Sequence, residues 1–377
     1  MIREHAPADI PDWEHREDLG PLDRALLGPT SPWLEKGQVR VFSLEDGGRL
    51  LARVAALINP ELQDQAEPTG QLGFFSFSDE AFEQHETGLV SLMERSMSWL
   101  SGRGMKRVRA PMNFTTWYSY RARSLDSDYP TFPGETVLDS RYARFFETFM
   151  QPVGTYASHL IEDHEKAQAM ARKLRIDRAA VAAGLTIEEV TREAVLGNMQ
   201  MFFDLASQIF PQDFSYGPIS FAEYQQLYGP ILQHAPDFFG LIAREAGGRP
   251  VGLVYGYRHP DAQVKTSILK TVGILREYQG RGLSRSIAWN LTYEYHMRLI
   301  RRGYENFIHA LMKEDNASRA MSDRFAKKIR EYRLYEAALT GPWPGRDRPR
   351  VPSTLTFSIS RPLTERIALR RWSRRSR

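Results

Sequence analysis

The most informative stretch of the chain reads Val272-Gly273-Ile274-Leu275-Arg276-Glu277-Tyr278-Gln279-Gly280-Arg281-Gly282-Leu283-Ser284. Its apolar beginning predicts a strand and its glycines predict a turn. A helix is predicted next, because apolar residues recur at four-residue steps from Leu283 to Leu299. In such a turn, consecutive backbone N–H groups converge at a helix N-terminus, whose dipole adds positive potential. Gly280 and Gly282 permit close backbone approach because they lack a Cβ atom. We therefore predict a phosphate-binding turn at Gln279 to Ser284.

The strands and the helix around this turn recur, in the same order, about 200 residues earlier in the chain. Each half is predicted to contain a β-hairpin with a glycine turn, a third strand, a long helix that stops at a glycine, and a further strand. In the first half the strands are residues 39–44, 49–58, 72–77 and 105–113, and in the second half they are residues 240–245, 249–257, 267–275 and 304–316. Either the chain is a duplication, or two mixed α/β halves share this common order by chance. The matching turns and glycines favour duplication.

Four segments are predicted along the chain. They are a first lobe at residues 1–155, a connecting segment at 156–186, a second lobe with the turn at 187–345, and a C-terminal strand and basic tail at 346–377. The second lobe is predicted to open with a helix, because apolar residues keep helical spacing from Ile187 to Phe210. The arginine-rich tail is typical either of a solvated chain end or of an arm for an anionic partner.

Composition and charge limit the class of protein. The 377 residues are 42% hydrophobic and 25% charged, as in globular proteins, and no apolar run approaches the roughly 18 residues of a membrane span. The N-terminus lacks the apolar stretch of a secretory signal, so we expect a cytoplasmic protein. The formal net charge is +4, and outside the tail no basic and aromatic stripe predicts nucleic-acid binding. The chain has no cysteine, which excludes disulfides, thiolate ligands and a cysteine nucleophile, and we predict no metal site.

The residues of the turn carry a resemblance to a known superfamily. Val272-Gly273-Ile274, followed by Gln279-Gly280-Arg281-Gly282-Leu283-Ser284, resembles strand four and the Gln/Arg-x-x-Gly-x-Gly/Ala signature of the GNAT acyltransferases, with Ser284 in place of the final small residue. The resemblance continues through residues 306–312 and the segment led by Asn316, and it covers the first half only in outline. It implies an α/β fold with a mixed sheet. The expected architecture is two GNAT-like lobes in tandem, each a mostly antiparallel sheet with splayed central strands flanked by helices.

With the repeat, the resemblance extends to duplicated members of the superfamily, such as mycothiol synthase, N-myristoyltransferase and the Fem aminoacyltransferases, and most closely to a group of bacterial chains of similar length. It implies that acetyl-CoA or another acyl-CoA binds in the second lobe. The implied contacts are the backbone of Val272 and Ile274 for the pantetheine arm, and Gln279, Gly280, Arg281, Gly282, Leu283 and Ser284 for the pyrophosphate. Asn316 either lies beside the same cofactor or caps a helix N-terminus, a role that suits asparagine.

The catalytic groups depart from the family pattern. Acyl transfer to an amine requires a neutral nitrogen, whereas an alkyl ammonium is protonated at neutral pH. The resemblance implies a glutamate on strand four and a tyrosine on the last helix, but residues 268–272 contain no carboxylate and no tyrosine follows Asn316 in register. His309 and Tyr335 are the candidate catalytic residues, and a structural role is the alternative for both.

The function predicted from the sequence is transfer of an acetyl or other acyl group from acyl-CoA to the amine of a small-molecule acceptor. The alternatives are Fem-like aminoacyl transfer from tRNA and a noncatalytic acyl-CoA-binding or sensor protein. Where the second half has its glycine turn, the first half has the acidic stretch Ser78 to Glu83, which repels a pyrophosphate. We therefore expect one cofactor site per chain. Residues 113–120 are candidates for a wall of the acceptor pocket or for packing between the lobes.

Overall fold

The architecture is a mixed sheet flanked by helices, taken from a computed structural model that describes residues 1–6, 21–28, 30–62, 66–163, 165–169, 184–211, 213–279, 283–315, 322–323 and 326–339. Within these residues, all strands join one sheet. The strands are β1 Ile2–His5, β2 Gln38–Asp46, β3 Arg49–Ile58, β4 Thr69–Phe77, β5 Arg107–Ala110, β6 Ala122–Leu125, β7 Gln151–Ile161, β8 Thr186–Val190, β9 Phe239–Arg244, β10 Pro250–Arg258, β11 Thr266–Ile274, β12 Asn306–Lys313 and β13 Lys327–Ala338.

The helices lie between these strands in chain order. They are α1 Pro21–Leu27, α2 Trp33–Lys36, α3 Asp79–Gln84, α4 Glu86–Ser101, α5 Ser140–Glu147, α6 Arg192–Gly197, α7 Met199–Ile209, α8 Phe221–His234, α9 Arg276–Gln279 and α10 Leu283–Arg301. None of the helices in the described ranges is long and apolar enough to cross a membrane.

The two predicted hairpins are confirmed. Strands β2 and β3 pair antiparallel around Gly47 and Gly48, and β9 and β10 do so around Gly247 and Gly248. Gly48 and Gly248 both have positive φ angles, of 81° and 80°, which glycine adopts without steric cost. Local turn chemistry therefore fixed both hairpins.

Each half also contains the predicted third strand, long helix and further strand, and the structure shows that these two strands pair in parallel. Strand β4 pairs parallel with β5 after the crossover helix α4, and β11 pairs parallel with β12 after α10. A parallel pair needs such a crossover because the chain must return to the same end of the sheet. This repeated unit confirms the tandem mixed α/β fold.

The two halves exchange their final strands. The sheet order is β1-β2-β3-β4-β5-β13-β7-β12-β11-β10-β9-β8, with β6 pairing with β13 beside this path. The C-terminal strand β13 therefore lies against β5 of the first half, while β7 lies against β12 of the second half, and β13 and β7 pair with each other. The boundary predicted at residue 155 falls inside β7, and the division into domains stays a prediction.

One predicted element is wrong in part. Residues 187–210 were expected to form one helix, but Thr186–Val190 forms the edge strand β8, which pairs with β9. The hydroxyl of Thr191 then accepts a hydrogen bond from the Ala194 N–H at 3.2 Å and caps α6. Apolar spacing alone could not separate a short edge strand from the helices that follow it.

Candidate functional site

The two central strands of the second half separate part-way along their length. Strands β11 and β12 pair from Thr266 with Asn306 to Leu269 with His309, and no ladder pair joins their described residues beyond that point. We call the resulting gap, between residues 270–274 of β11 and residues 310–313 of β12, the strand opening. Backbone groups along such a gap can bind an amide-bearing ligand.

Irregularities in both strands mark the start of the strand opening. On β11, the register against β10 shifts by one residue between the pairs Tyr255–Thr271 and Gly256–Leu269, so Lys270 is the extra residue of a β-bulge. On β12, the register against β7 shifts beyond His309, and Leu311 has a positive φ of 59°. The Leu311 N–H donates to the side-chain hydroxyl of Ser158 on β7 at 3.1 Å instead of to a backbone carbonyl. The two bulges turn the strands away from each other.

The predicted backbone contacts for pantetheine lie on β11 beside this gap. The Leu275 N–H donates to the Val251 carbonyl of β10 at 2.9 Å. Backbone groups of successive strand residues point to opposite sides, so Gly273 also points toward β10, whereas Val272 and Ile274 point toward the strand opening. The pantetheine contacts of Val272 and Ile274 stay a prediction.

The predicted phosphate turn is described only at its edges. Gln279 ends α9 and Leu283 begins α10, whereas Gly280, Arg281 and Gly282 lie outside the described residues, as do the side chains of Gln279, Leu283 and Ser284 and the whole of Asn316. Helix α9 itself was not expected, because the sequence predicted a plain turn there. It is fixed to the β9–β10 hairpin by the Tyr278 hydroxyl, 2.5 Å from a Glu245 carboxylate oxygen, and by an ion pair of 2.7 Å between Arg249 and Glu277.

His309, a predicted catalytic residue, lies at the start of the strand opening but on the face covered by α10. It is 3% exposed. Its Nε2 atom lies 3.0 Å from Nε2 of His296, and its Nδ1 atom lies 2.6 Å from the Ser322 hydroxyl. The Nδ1 atom of His296 is 2.6 Å from the Thr292 carbonyl, which can only accept, so His296 Nδ1 carries the proton. Burial holds the pKa of His309 well below its usual range, and both of its ring nitrogens already have partners.

Tyr335, the second predicted catalytic residue, lies far along the sheet in the core of the first half. It is fully buried on β13, where its ring stacks on Phe146 with centroids 5.7 Å apart. Its hydroxyl donates to Glu147 at 3.1 Å. These contacts are those of a packed core tyrosine, and we do not carry Tyr335 into the proposed function.

Lys270 is a residue at this site that sequence reasoning did not select. It is half-buried, and Nζ lies 3.4 Å from the Gly134 carbonyl oxygen. Burial, together with the positive charge of Arg121, lowers its pKa to about 7, while Glu135 acts in the opposite sense. The only signal in the sequence was a lysine interrupting the apolar run of residues 268–272.

An aromatic cavity lies on the sheet face opposite α10, next to Thr271. Its volume is about 50 Å³, and its lining includes Trp117, Tyr224, Tyr228, Tyr255 and Thr271. Trp117 comes from the predicted wall segment 113–120 of the first half, and its ring meets those of Tyr224 and Tyr228 edge-on at 6.0 and 6.1 Å. Thr271 belongs both to the lining of this cavity and to residues 270–274 of the strand opening, so the two features adjoin.

The first half has the same strand geometry, but its gap is filled by the chain itself. Strands β4 and β5 pair only as far as Gln71 with Arg109. Beyond that pair, the Met112 N–H donates to the Leu72 carbonyl at 2.9 Å, and the Phe74 N–H donates to the Asn113 side-chain oxygen at 2.8 Å. Asn113 thus occupies the place that a ligand amide would take.

A mixed sheet whose central parallel strands separate, with a crossover helix between them, is typical of the GNAT fold, and the chain contains this unit twice. Solved structures with this fold are similar to the chain. One is a conserved protein of unknown function from Enterococcus faecalis V583, described as a probable N-acyltransferase, with 11% identity, a TM-score of 0.51, and coverage of 90% of this chain and 72% of that one.

Two further structures are less similar. One is a tandem GNAT protein from the clavulanic acid biosynthesis pathway, with 11% identity, a TM-score of 0.44, and coverage of 85% and 87% of the two chains. The other is a GCN5-related N-acetyltransferase from Sphaerobacter thermophilus, with 13% identity, a TM-score of 0.43, and coverage of 90% and 95%. No family model and no curated protein sequence matches the chain. At 11% identity, the likeness to the Enterococcus faecalis structure shows the fold alone.

Proposed function

We propose that the protein is an acyltransferase that moves an acetyl or other acyl group from acyl-CoA to the amine of a small-molecule acceptor. The observation that carries the proposal is the strand opening, where β11 and β12 stop pairing beyond Leu269 and His309. The four residue steps from Lys270 to Ile274 span about 13 Å of extended strand. That length suits an extended pantetheine arm running from the turn toward the start of the gap.

The residues present fit such a ligand. Pantetheine carries two amides, and the backbone amide of Val272 has the donor and acceptor complementary to such a group. Helix α10 begins at Leu283, and its N-terminus is proposed to face the pyrophosphate. In the first half, Asn113 fills the corresponding gap, and the acidic helix α3 follows the strand. This contrast supports one acyl-CoA site per chain.

The acceptor is proposed to enter from the face opposite α10, where the aromatic cavity lies next to Thr271. Its apolar lining favours an acceptor with an apolar or aromatic part beside the amine. Trp117 of the first half contributes to this lining, so the first half is proposed to help bind the acceptor.

The test combines binding and turnover on the full chain. CoA binding is measured by titration calorimetry, and free-thiol release is measured with acetyl-CoA, longer acyl-CoAs and a panel of primary amines. Replacing Gly282 by valine adds a Cβ atom where the backbone must approach a phosphate, so CoA affinity is expected to fall at least about tenfold. The matched control is Gly247→Val, because Gly247 lies in the β9–β10 turn with no atom within 4 Å of an added Cβ.

Each outcome has a distinct meaning. Thiol release that depends on an amine supports the proposed transferase. CoA binding without turnover for any pair would contradict it and favour an acyl-CoA-binding or sensor protein. Unchanged CoA affinity in Gly282→Val would remove the turn from the site. No CoA binding by the wild-type chain would exclude both acyl-CoA functions.

A further inference from the structure

A lysine stands at the point where the two central strands separate. Lys270 is the first residue beyond the last β11–β12 pair, and it is the extra residue of the β11 bulge. A bulge re-aims one side chain out of the regular alternation of a strand, which is why bulges occur beside active sites. The position is the one at which an acyl group would lie if pantetheine ran along residues 270–274.

The side chain of Lys270 points to the face of the sheet opposite α10, which we call the acceptor face. A Cβ atom built on Gly256 would overlap the Tyr295 hydroxyl of α10, so Tyr257, the next residue, faces the other side. An added Cβ at Gly134 would lie 3.4 Å from Lys270 Nζ and 3.6 Å from the Tyr257 hydroxyl. Lys270 Nζ and Tyr257 therefore share the face opposite α10, on which the aromatic cavity also lies.

We infer that Lys270 is the general base of the transfer and then the acid that protonates the departing CoA thiolate, an inference that rests on the proposed function. In the family pattern a carboxylate on this strand takes the proton, and residues 268–272 contain none. A neutral amine at the same place can accept a proton and later return it. Lys270 would thus replace the missing carboxylate.

The surroundings of Lys270 favour its neutral form. The charged and titratable groups around it are Arg121 ahead of β6, Glu135 ahead of α5, Tyr156 on β7, Tyr257 on β10, and Arg330 and Tyr332 on β13. Burial and Arg121 lower the pKa of Lys270 to about 7, so a large fraction of the amine is neutral at pH 7.

The neighbouring carboxylate, Glu135, is already engaged by other groups. The Glu135 side chain is 1% exposed, lies 3.3 Å from Arg330, and accepts a hydrogen bond from the Tyr332 hydroxyl. This carboxylate is therefore engaged by two groups other than Lys270. His309, on the opposite face, has partners on both ring nitrogens. Of Lys270, Glu135 and His309, Lys270 is the one whose nitrogen is directed to the acceptor face and can accept a proton there.

The proposed step conserves protons and electrons. The acceptor nitrogen attacks the thioester carbonyl carbon, and as the C–N bond forms the nitrogen becomes acidic and gives its proton to Lys270 Nζ. The tetrahedral intermediate collapses, the C–S bond breaks, and the electron pair leaves on sulfur. Lys270 then gives the proton to the thiolate, so the products are the amide and CoA thiol, and Lys270 is neutral again.

The test uses two substitutions of Lys270 and one control near the same strand. Lys270→Met removes the amine at nearly constant volume, and Lys270→Arg keeps a cation that cannot lose its proton. Both should lower kcat by about 100-fold or more, the usual contribution of a general base, while the affinity for CoA stays within about threefold. Lys265→Met is the control, because Lys265 lies just ahead of β11, away from the strand opening, and its Nζ donates to the Arg302 carbonyl at 2.9 Å.

The pH profile separates catalysis from packing. With saturating acetyl-CoA and amine, wild-type kcat should rise with pH, reach half its plateau near pH 7 and then level off, since the base must be unprotonated. Residual activity of the variants should lack this midpoint. Wild-type kcat in either variant, or an unchanged midpoint near pH 7, would overturn the inference.

A measurement that needs no turnover makes the inference independent of the acceptor. Acetic anhydride modifies neutral amines, so the pH at which Lys270 is half-labelled, read by mass spectrometry, should be about 7, whereas lysines of ordinary pKa label near 10.4. Labelling of Lys270 only at the ordinary pH would overturn the inference even if Lys270→Met fails to fold. A wild-type chain that neither binds CoA nor releases thiol would instead refute the proposed function, which distinguishes the two failures.

Discussion

Acidification should weaken the folded state through the buried histidine pair His296–His309. His296 is fully buried on α10, where desolvation lowers its pKa from 6.5 to about 4 in spite of the hydrogen bond to Thr292. The folded state therefore keeps this ring neutral in a pH range where the unfolded chain binds a proton. The contribution of His296 to the free energy of unfolding is therefore fully present above pH 6.5, and it is lost as the pH falls from 6.5 toward 4.

The size of the effect follows from the two pKa values. Between pH 7 and pH 5 the proton uptake of the unfolded chain removes about 2 kcal/mol of unfolding free energy through His296 alone. His309 changes stability in the same direction, since its pKa is also lowered. Asp23 acts in the opposite direction, because burial raises its pKa to about 6 and protonation then favours the folded state.

A comparison of variants isolates the contribution of His296. Urea unfolding is followed by tryptophan fluorescence at pH 7, 6 and 5 for the wild type and for His296→Phe, which keeps an aromatic ring against Phe307. Other groups titrate in both proteins. Between pH 7 and 5, the free energy of unfolding of the wild type should therefore fall by about 2 kcal/mol more than that of the variant. The control His234→Gln, at an exposed site, should follow the wild type. Equal losses in wild type and His296→Phe would refute the reasoning.

Three further substitutions test packing against function. Gly256→Ala should destabilise the fold by about 3 kcal/mol, because the new Cβ overlaps the Ile268 carbonyl oxygen. In contrast, Gly197→Ala, at the last residue of α6 where an added Cβ meets no atom within 4 Å, should stabilise the fold by about 0.5–1 kcal/mol. Chemical unfolding measures both, and a neutral Gly256→Ala would contradict the packing. Tyr335→Phe removes the hydrogen bond to Glu147, so it should cost about 1 kcal/mol in stability and leave kcat unchanged; a large fall in kcat would restore Tyr335 as a catalytic residue.

The sequence by itself determined the repeated unit of the fold. The hairpin turns at Gly47-Gly48 and Gly247-Gly248, and the helix ends before Gly102 and Gly303, depend on backbone conformations available within a few residues. Such local requirements leave a readable signal in the residues themselves. The end of β11 at Ile274 and the start of α10 at Leu283 were readable for the same reason.

Only the tertiary structure decided which strands meet and which groups become chemically unusual. The exchange of β7 and β13, the closure of the first-half gap by Asn113, and the bulge at Lys270 all depend on pairing between residues far apart in the chain. The lowered pKa of Lys270 likewise arises from burial and from Arg121, which is distant in sequence. Burial and long-range charge are properties of the packed chain, and for that reason the sequence indicated a cofactor turn while the candidate base emerged from the fold.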